Sequence, residues 1–303
     1  MAMLGAGLKR GDGRRQWLRV ALITPYAWLL LFFLAPFFII LKISVADPLV
    51  AQPPFTPLFD WAASGWHRLL VTFDNFHFLF QDRYYAIIYL SSIKMAAIST
   101  FFCLLIGYPM AYFISRRPES TRNLWLLGVI LPFWISFLLR VYAWMGLLNT
   151  NGIINHFLMA SGLIDHPLRL MYNDFAVYVG IVYSYLPFMI LPLYARLERL
   201  DTDLHEAAED LGAKRWEVFK DITLPLSMPG IIGGCLLVFI PAIGEYIIPA
   251  LLGSSDTLMI GRALWDEFFI SRDWPVASAV SVVLLLILVV PLMWFQKTQE
   301  RAE

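Results

Sequence analysis

The chain has 303 residues, of which 59% are hydrophobic and only 15% are charged, a composition that excludes an ordinary soluble domain and indicates a membrane protein. Its 23 Lys and Arg residues balance its 23 Asp and Glu residues, so no basic excess points to nucleic acid. Cys103 and Cys235 each lie in an apolar run without a CxxC motif or Cys/His cluster, which predicts core packing and no metal site.

The first predicted membrane span is the charge-free run 20–41, which follows a basic N-terminal segment, 1–19. Ser44-Val45-Ala46 has the small-x-small pattern of a signal-peptide cleavage site. The apolar region of a signal peptide has only about 7 to 15 residues, however, and this run is longer. It is long enough to cross a bilayer, so we predict an uncleaved first helix.

Three further spans follow, at about 85–114, 124–148 and 175–195. The polar segments 42–84 and 149–173 contain no span and are predicted to lie outside the membrane. Pro132 and Arg140 interrupt the third span. Two prolines occur in the fourth span, where neighbouring groups can satisfy the carbonyls that proline frees.

The polar loop 196–227 carries the clearest local pattern in the chain. Asp203 and Glu206 have the spacing of a capping box, which predicts the start of a helix. Gly212 ends or bends that helix, and a second short amphipathic helix is predicted from Arg215. A long loop with structure of its own is typical of a partner-binding element. The alternative is a helix that packs on its own membrane domain.

The fifth predicted span, about 228–252, contains Pro241, Gly244, Glu245 and Pro249, so we expect it to kink or partly unwind. The sixth is the charge-free run 276–296, and residues 297–303 form a short tail. The prediction is an all-α membrane domain over 20–296 with six transmembrane helices.

The distribution of Lys and Arg sets the predicted orientation. Fifteen of them lie in the N-terminal segment, the loops 116–123 and 196–227, and the tail, whereas six lie in the other connecting segments. Because basic residues concentrate on the cytoplasmic side, both termini and the loop 196–227 are predicted to face the cytoplasm.

Three ionisable residues fall within predicted spans, Lys94, Arg140 and Glu245. Such a residue costs about 2.5 to 3.5 kcal/mol to insert, so each is a functional candidate. Glu245 and Tyr246 place a carboxylate beside an aromatic ring in a broken helix, an arrangement that suits a passing ammonium group. Alternatively, Glu245 lies at the interface or pairs with Lys94 or Arg140. For Lys94 and Arg140 we favour snorkelling to the membrane interface.

Tyr142 and Trp144 are further candidates for the substrate path, within an aromatic group that also includes Trp134 and Tyr108. An interfacial aromatic belt is the simpler explanation of that group. His205 lies in the loop 196–227 and has no partner at the spacing of a metal or catalytic site.

The loop also carries a family pattern. Glu206-Ala207-Ala208, Leu211-Gly212 and Ile222-x-Leu224-Pro225 resemble the EAA loop of binding-protein-dependent ABC importer permeases at every position of the motif. The resemblance implies the type I importer fold. It also implies that this loop is the coupling helix that docks on a cytoplasmic ATP-binding subunit. We therefore assign the coupling role to these residues: Glu206, Ala207, Ala208, Leu211, Gly212, Ile222, Leu224 and Pro225.

The segments 96–112, 140–155, 238–253 and 259–279 are similar to the polyamine branch of that family, the putrescine and spermidine transporters, and are closest to putrescine permease subunits with a large first outer loop. This resemblance implies import of a polyamine, putrescine first, by alternating access in the bacterial inner membrane. The implied partners are a second, homologous permease that completes a heterodimer, a dimeric ATPase and a periplasmic binding protein.

The chain has no GxxxxGK[ST] loop to hold a nucleotide, so ATP and Mg are expected on the separate ATPase and no enzyme activity or cofactor is expected in this chain. Two alternatives stay open at this point. One is an importer of the same class for another small solute. The other is an ion-coupled secondary transporter, in which Glu245 would bind the proton or ion.

Overall fold

The computed structural model describes residues 21–60, 68–201 and 203–299, and the predicted all-α class is confirmed over them. The basic segment 1–19 and the end of the tail lie outside the described residues. The helices in chain order are α1 (Ala21–Ser44), α2 (Asp74–Gln81), α3 (Arg83–Ser115), α4 (Glu119–Ile130), α5 (Phe137–Leu148), α6 (Ile153–Ala160), α7 (Asp174–Leu197), α8 (Asp203–Asp210), α9 (Arg215–Ile243), α10 (Ile247–Leu252), α11 (Ile260–Trp265) and α12 (Trp274–Gln299).

The chain divides into two compact units, one formed by the regions up to Asp82 and from Glu267, the other by Arg83–Asp266. In the first unit α12 packs against α1 and α2. The buried Asn75 at the start of α2 donates to the carbonyl oxygens of Ser44 (3.0 Å) and Ala46 (2.8 Å), which fixes α2 to the end of α1. The connecting segment also contains a two-stranded antiparallel pair, β1 (Phe59–Asp60) with β2 (Arg68–Leu69), that the sequence did not predict.

The core of the second unit is the packing of α3, α7 and α9 on one another. Met189 on α7 is fully buried there. A Cβ added at Gly234 on α9 would lie 2.7 Å from the Met189 sulfur and 3.1 Å from its carbonyl oxygen. Gly230 lies one turn earlier on α9, and a Cβ added there would lie 3.0 Å from the Pro192 carbonyl oxygen. Small residues of this kind allow membrane helices to approach closely, and they set the contact between α7 and α9.

Four described helices are long and apolar enough to cross a membrane, namely α1, α3, α7 and α9. The predicted third span, 124–148, is broken: α4 with its following 3₁₀ turn and α5 with α6 form two arms bent by 91°. The break follows from Pro132, the second residue of the 3₁₀ turn Leu131–Trp134, and from the extended backbone at Ile135 and Ser136. The predicted sixth span lies within α12, whose apolar part is Trp274–Val289.

Candidate coupling site and substrate path

The predicted helix of the loop 196–227 is α8, which begins at Asp203 as the capping-box spacing indicates. The predicted N-cap carboxylate was that of Asp203. In the structure the carboxylate of Asp201 takes this place, and its Oδ1 accepts the Asp203 amide (3.0 Å). Negative charge at either position is favourable next to the exposed amides of a helix N-terminus.

Gly212 ends α8, as predicted. Its φ angle is +88°, the left-handed conformation that favours glycine. The Gly212 amide donates to the Glu209 carbonyl (2.9 Å), and the Ala213 amide donates to the Ala208 carbonyl (3.0 Å). These two bonds form a Schellman motif, which satisfies the last carbonyls of the helix and reverses the chain.

The sequence predicted a second, separate short helix from Arg215. The structure instead shows that this segment is the first part of α9, which continues without a break to Ile243. The Glu217 side chain caps it by accepting the Lys214 amide (2.7 Å). A π-helical turn, Phe219–Thr223, joins this end to the span. The turn ends two residues before Pro225, which has no amide to donate, and a wider turn accommodates that lost bond.

The loop presents apolar side chains on an otherwise polar surface. Leu211 is 90% exposed and Trp216 is 68% exposed. Glu206 and Ala207 are also exposed, and α8 contains no buried residue. Exposed apolar groups with a polar rim mark interaction sites, so this surface suits a partner protein. Ile222 and Leu224, by contrast, are half-buried at the start of the span, and Pro225 beside them is exposed.

The predicted break in the fifth span is confirmed, and Glu245 lies in it. Helix α9 ends at Ile243 and α10 starts at Ile247. Glu245 Oε1 accepts the amides of Ile247 (3.0 Å) and Ile248 (3.4 Å), so the carboxylate caps α10. Its other oxygen accepts the Tyr185 hydroxyl at 2.5 Å, and the residue is only 8% exposed. Tyr185, on α7, is a partner that the sequence pattern did not single out.

Tyr246 stacks on Trp265 of α11, with ring centroids 4.5 Å apart and planes inclined by 15°. Gly261, also on α11, packs against the break: an added Cβ there would lie 2.4 Å from the Gly244 carbonyl oxygen and 2.6 Å from that of Glu245. The backbone of α11 therefore lies directly against the backbone that carries Glu245.

The structure corrects the interpretation of Arg140 as a snorkelling side chain. Arg140 is 7% exposed, and its guanidinium lies over the rings of Phe133 (4.9 Å) and Phe137 (5.5 Å). Its Nε and Nη1 atoms have no hydrogen-bond partner among the described residues. Lys94 is exposed. Arg122 forms an ion pair with Glu198, and among the described residues neither Lys94 nor Arg140 pairs with Glu245.

The other two predicted path residues make their contacts with residues other than Glu245. Trp144 makes an edge contact with Tyr183 (5.3 Å), and both line an apolar cavity of about 420 Å³. Tyr142 is 52% exposed. The described residues give neither Trp144 nor Tyr142 a hydrogen bond or ring contact with Glu245 or Tyr246. No group of three metal-ligating side chains occurs within the described ranges.

Long apolar helices, a broken span with a buried carboxylate and an exposed structured loop define an integral-membrane transport subunit. Residues 4–302 match the family described as "Binding-protein-dependent transport system inner membrane component", and the chain belongs to that family. It is accordingly a multi-pass protein of the inner membrane. It is 39% identical to the spermidine/putrescine transport system permease protein PotB of Salmonella typhimurium over 269 residues, which cover 89% of each chain.

Solved structures share the fold. A bacterial ABC transporter that imports the acidic polysaccharide alginate has a chain that superposes with a TM-score of 0.64 at 19% identity, covering 96% of this chain and 98% of that one. The methionine ABC transporter MetNI, in an inward-facing conformation, gives a TM-score of 0.54 at 17% identity, covering 72% and 95%. The predicted type I ABC importer permease fold is confirmed.

Proposed function

We propose that this chain is the permease subunit of an ATP-driven importer that moves a polyamine, with putrescine as the leading candidate, into the cytoplasm by alternating access. The similarity to PotB over most of the chain supports the substrate class. The observation that carries the proposal is Glu245, a buried carboxylate held at a break in a membrane helix. Broken helices with polar groups form substrate sites in transporters, and a carboxylate there suits an ammonium group.

On this proposal α8 is the coupling helix and faces the cytoplasm. The exposed Leu211 and Trp216 contact a dimeric ATP-binding subunit, which holds ATP and Mg and performs the hydrolysis. A second, homologous permease completes the transmembrane pathway, and a periplasmic binding protein delivers the substrate. The permease makes no covalent bond. Closure of the ATPase displaces α8 and shifts the spans between two states.

The substrate enters along Glu245 and Tyr246. In the structure the carboxylate is occupied by one hydroxyl and two amides. The bond from the Tyr185 hydroxyl to the carboxylate is already charge-assisted, and an ammonium group that replaces this hydroxyl adds the attraction between opposite charges. The stacked Tyr246 and Trp265 rings offer aromatic faces and edges beside it for the methylene chain and the second ammonium group.

One observation favours a different solute in the same class of importer. Arg140 is a buried guanidinium with two unpartnered nitrogens, a group that suits an anion. The solved alginate importer shows that this fold serves an acidic solute. An ion-coupled secondary transporter, by contrast, gives no reason for the loop motif and is disfavoured by family membership.

The test is uptake of labelled putrescine into proteoliposomes that hold the chain with its co-encoded permease, ATPase and binding protein. We expect uptake to require ATP. Gly212→Val, which forces a β-branched residue into the left-handed conformation, should reduce uptake at least about fivefold, since even an unbranched residue there costs about 1 to 2 kcal/mol. Gly212→Asn is the matched control, because asparagine tolerates that conformation and no atom lies within 4 Å of the new Cβ.

Three outcomes of this uptake experiment test the substrate, the coupling to ATP and the role of Gly212 separately. ATP hydrolysis stimulated by the loaded binding protein without putrescine uptake would keep the importer and overturn the polyamine. Uptake that is indifferent to ATP would overturn the coupling proposal as a whole. Equal activity of the valine and asparagine variants would remove the role assigned to Gly212.

A further inference from the structure

Few side-chain contacts hold helix α8 to the membrane helices among the described residues. None of its residues is buried, so little apolar packing holds it. Among the residues that the structure describes, His205 is the one whose side chain hydrogen-bonds from α8 to a spanning helix or its end. A displacement of α8 that moves the spans therefore has a specific path available through this imidazole.

The two bonds converge on one atom. His205 Nε2 lies 2.8 Å from Nη2 of Arg116 and 2.9 Å from Oγ1 of Thr223. Arg116 follows the last residue of α3, and Thr223 is 1% exposed in the π-helical turn of α9. The imidazole thus connects α8 to two of the three helices that form the core of its unit.

The partners determine the protonation of the ring. A guanidinium only donates, so Nε2 must accept from Arg116. The Nδ1 atom lies 3.2 Å from the Asp201 carbonyl oxygen, which only accepts, so Nδ1 carries the hydrogen. In this arrangement Nδ1 carries the hydrogen, and the Arg116 and Thr223 donors share the single lone pair of Nε2. A proton on Nε2 would place two donors and two positive charges face to face.

The groups around the ring define how it responds to protonation. They line a cavity of about 340 Å³ and comprise Tyr112 from α3, Arg116 directly after α3, Arg215 from the start of α9, and Glu209 one turn further along α8. The Arg116 guanidinium also lies 5.3 Å from the centre of the Tyr112 ring. A charged imidazole is repelled by the two arginines and attracted to Glu209. Thr223 can still accept from it, so protonation removes the link to α3 and spares the link to α9.

We propose that neutral His205 is the positioning residue that transmits movement of the coupling helix to α3 and α9, through its Nε2 contact with Arg116 and Thr223. This inference rests on the proposed function, because it assigns the route by which α8 acts on the spans. It adds a residue outside the family motif and predicts that coupling between ATP hydrolysis and transport depends on the charge of one imidazole.

The test uses the complete reconstituted complex and three variants. His205→Gln retains an acceptor near the position of Nε2 and cannot become charged. His205→Leu removes the acceptor at similar volume. His156→Leu changes a histidine on α6, whose ring contacts the Gly152 carbonyl within its own segment (3.0 Å), and serves as the matched control.

The readouts are substrate taken up per ATP hydrolysed, stimulation of the ATPase by the loaded binding protein, and copurification of the ATPase. For His205→Leu we expect an assembled complex whose uptake per ATP falls about tenfold, the equivalent of one charge-assisted hydrogen bond. His205→Gln should keep most of the coupling. Lowering the pH from 8 to 5, the range in which imidazoles change charge, should reduce coupling in the wild type and in His156→Leu but not in His205→Gln.

An Arg116→Met variant completes a double-mutant cycle with His205→Leu, and the two losses should not add, because both remove the same contact. Full coupling in His205→Leu, additive losses, or an acid effect that persists in His205→Gln would overturn the inference. If the wild type takes up no putrescine, the substrate proposal fails, but stimulation of the ATPase by the binding protein still tests the role of His205.

Discussion

Replacing Glu245 by glutamine separates the charge of this carboxylate from its structural role. The amide oxygen can still accept the amides of Ile247 and Ile248, which lie 3.0 and 3.4 Å from Oε1. The amide nitrogen can donate to the Tyr185 hydroxyl, which then acts as the acceptor. Helix α10 therefore keeps its cap, and we expect the complex to assemble normally.

The magnitude follows from the contact that the substrate would make. The ammonium group is charged, so it keeps a charge-assisted hydrogen bond to the glutamine amide but loses the attraction of the opposite charge. Two unit charges about 4 Å apart attract by about 1 kcal/mol in water and about 4 kcal/mol near a protein surface. We therefore expect a loss of at least about fivefold in affinity. The effect should appear at low putrescine concentration as a raised KM, and in kcat as well if the contact is stronger during translocation.

The assay is the initial rate of putrescine uptake in proteoliposomes across a range of concentrations. Tyr185→Phe is one control, because it removes the 2.5 Å hydrogen bond and leaves the charge; its uptake should exceed that of Glu245→Gln. Glu198→Gln is another, since it neutralises a half-exposed carboxylate paired with Arg122. Uptake by Glu245→Gln within twofold of the wild type would refute the assignment, and increased uptake would favour an anionic solute.

Three further changes test the surroundings of the site. Gly261→Ala forces a Cβ against backbone oxygens at 2.4 and 2.6 Å, so it should destabilise the fold by at least about 1 to 3 kcal/mol and reduce uptake. The control Gly146→Ala, where no atom lies within 4 Å of the new Cβ, should leave uptake unchanged. Asn155 is 1% exposed, and Asn155→Leu removes the three hydrogen bonds that its side chain donates and the one that it accepts. This loss should destabilise the segment 149–173 by about 2 to 4 kcal/mol, and we expect faster proteolysis of that segment. Arg140→Met should hold or raise the melting temperature of the complex, whereas Arg140→Lys should lower it, because an ammonium is more strongly hydrated than a guanidinium.

Features governed by local chemistry could be predicted from the sequence. The end of α8 at Gly212 follows from the conformational freedom of glycine, and the break before α10 follows from Pro241 and Gly244. Long apolar runs fix the positions of the spanning helices, since a bilayer requires about 20 apolar residues.

Features that depend on distant parts of the chain could not be predicted. Tyr185 meets Glu245 from 60 residues away, and Arg116 meets His205 from 89 residues away. No local pattern encodes either contact, although an isolated histidine inside a functional loop was a signal for the second. Arg140 was interpreted wrongly for a related reason: its burial depends on Phe133, beyond the bend that divides the predicted third span.

Helix α9 connects the two candidate sites. It begins at Arg215, directly after the turn that ends α8, and continues for 29 residues, about 43 Å at 1.5 Å per residue, to the break that holds Glu245. Gly230 and Gly234 let its backbone lie close to α7, where Gly234 packs against the Met189 side chain. A movement of the coupling loop along this axis therefore reaches Glu245 through a single hydrogen-bonded element. Because Tyr185 is on α7 rather than on α9, we expect such a shift to change its 2.5 Å hydrogen bond to the carboxylate, so that this bond would differ between the two proposed access states.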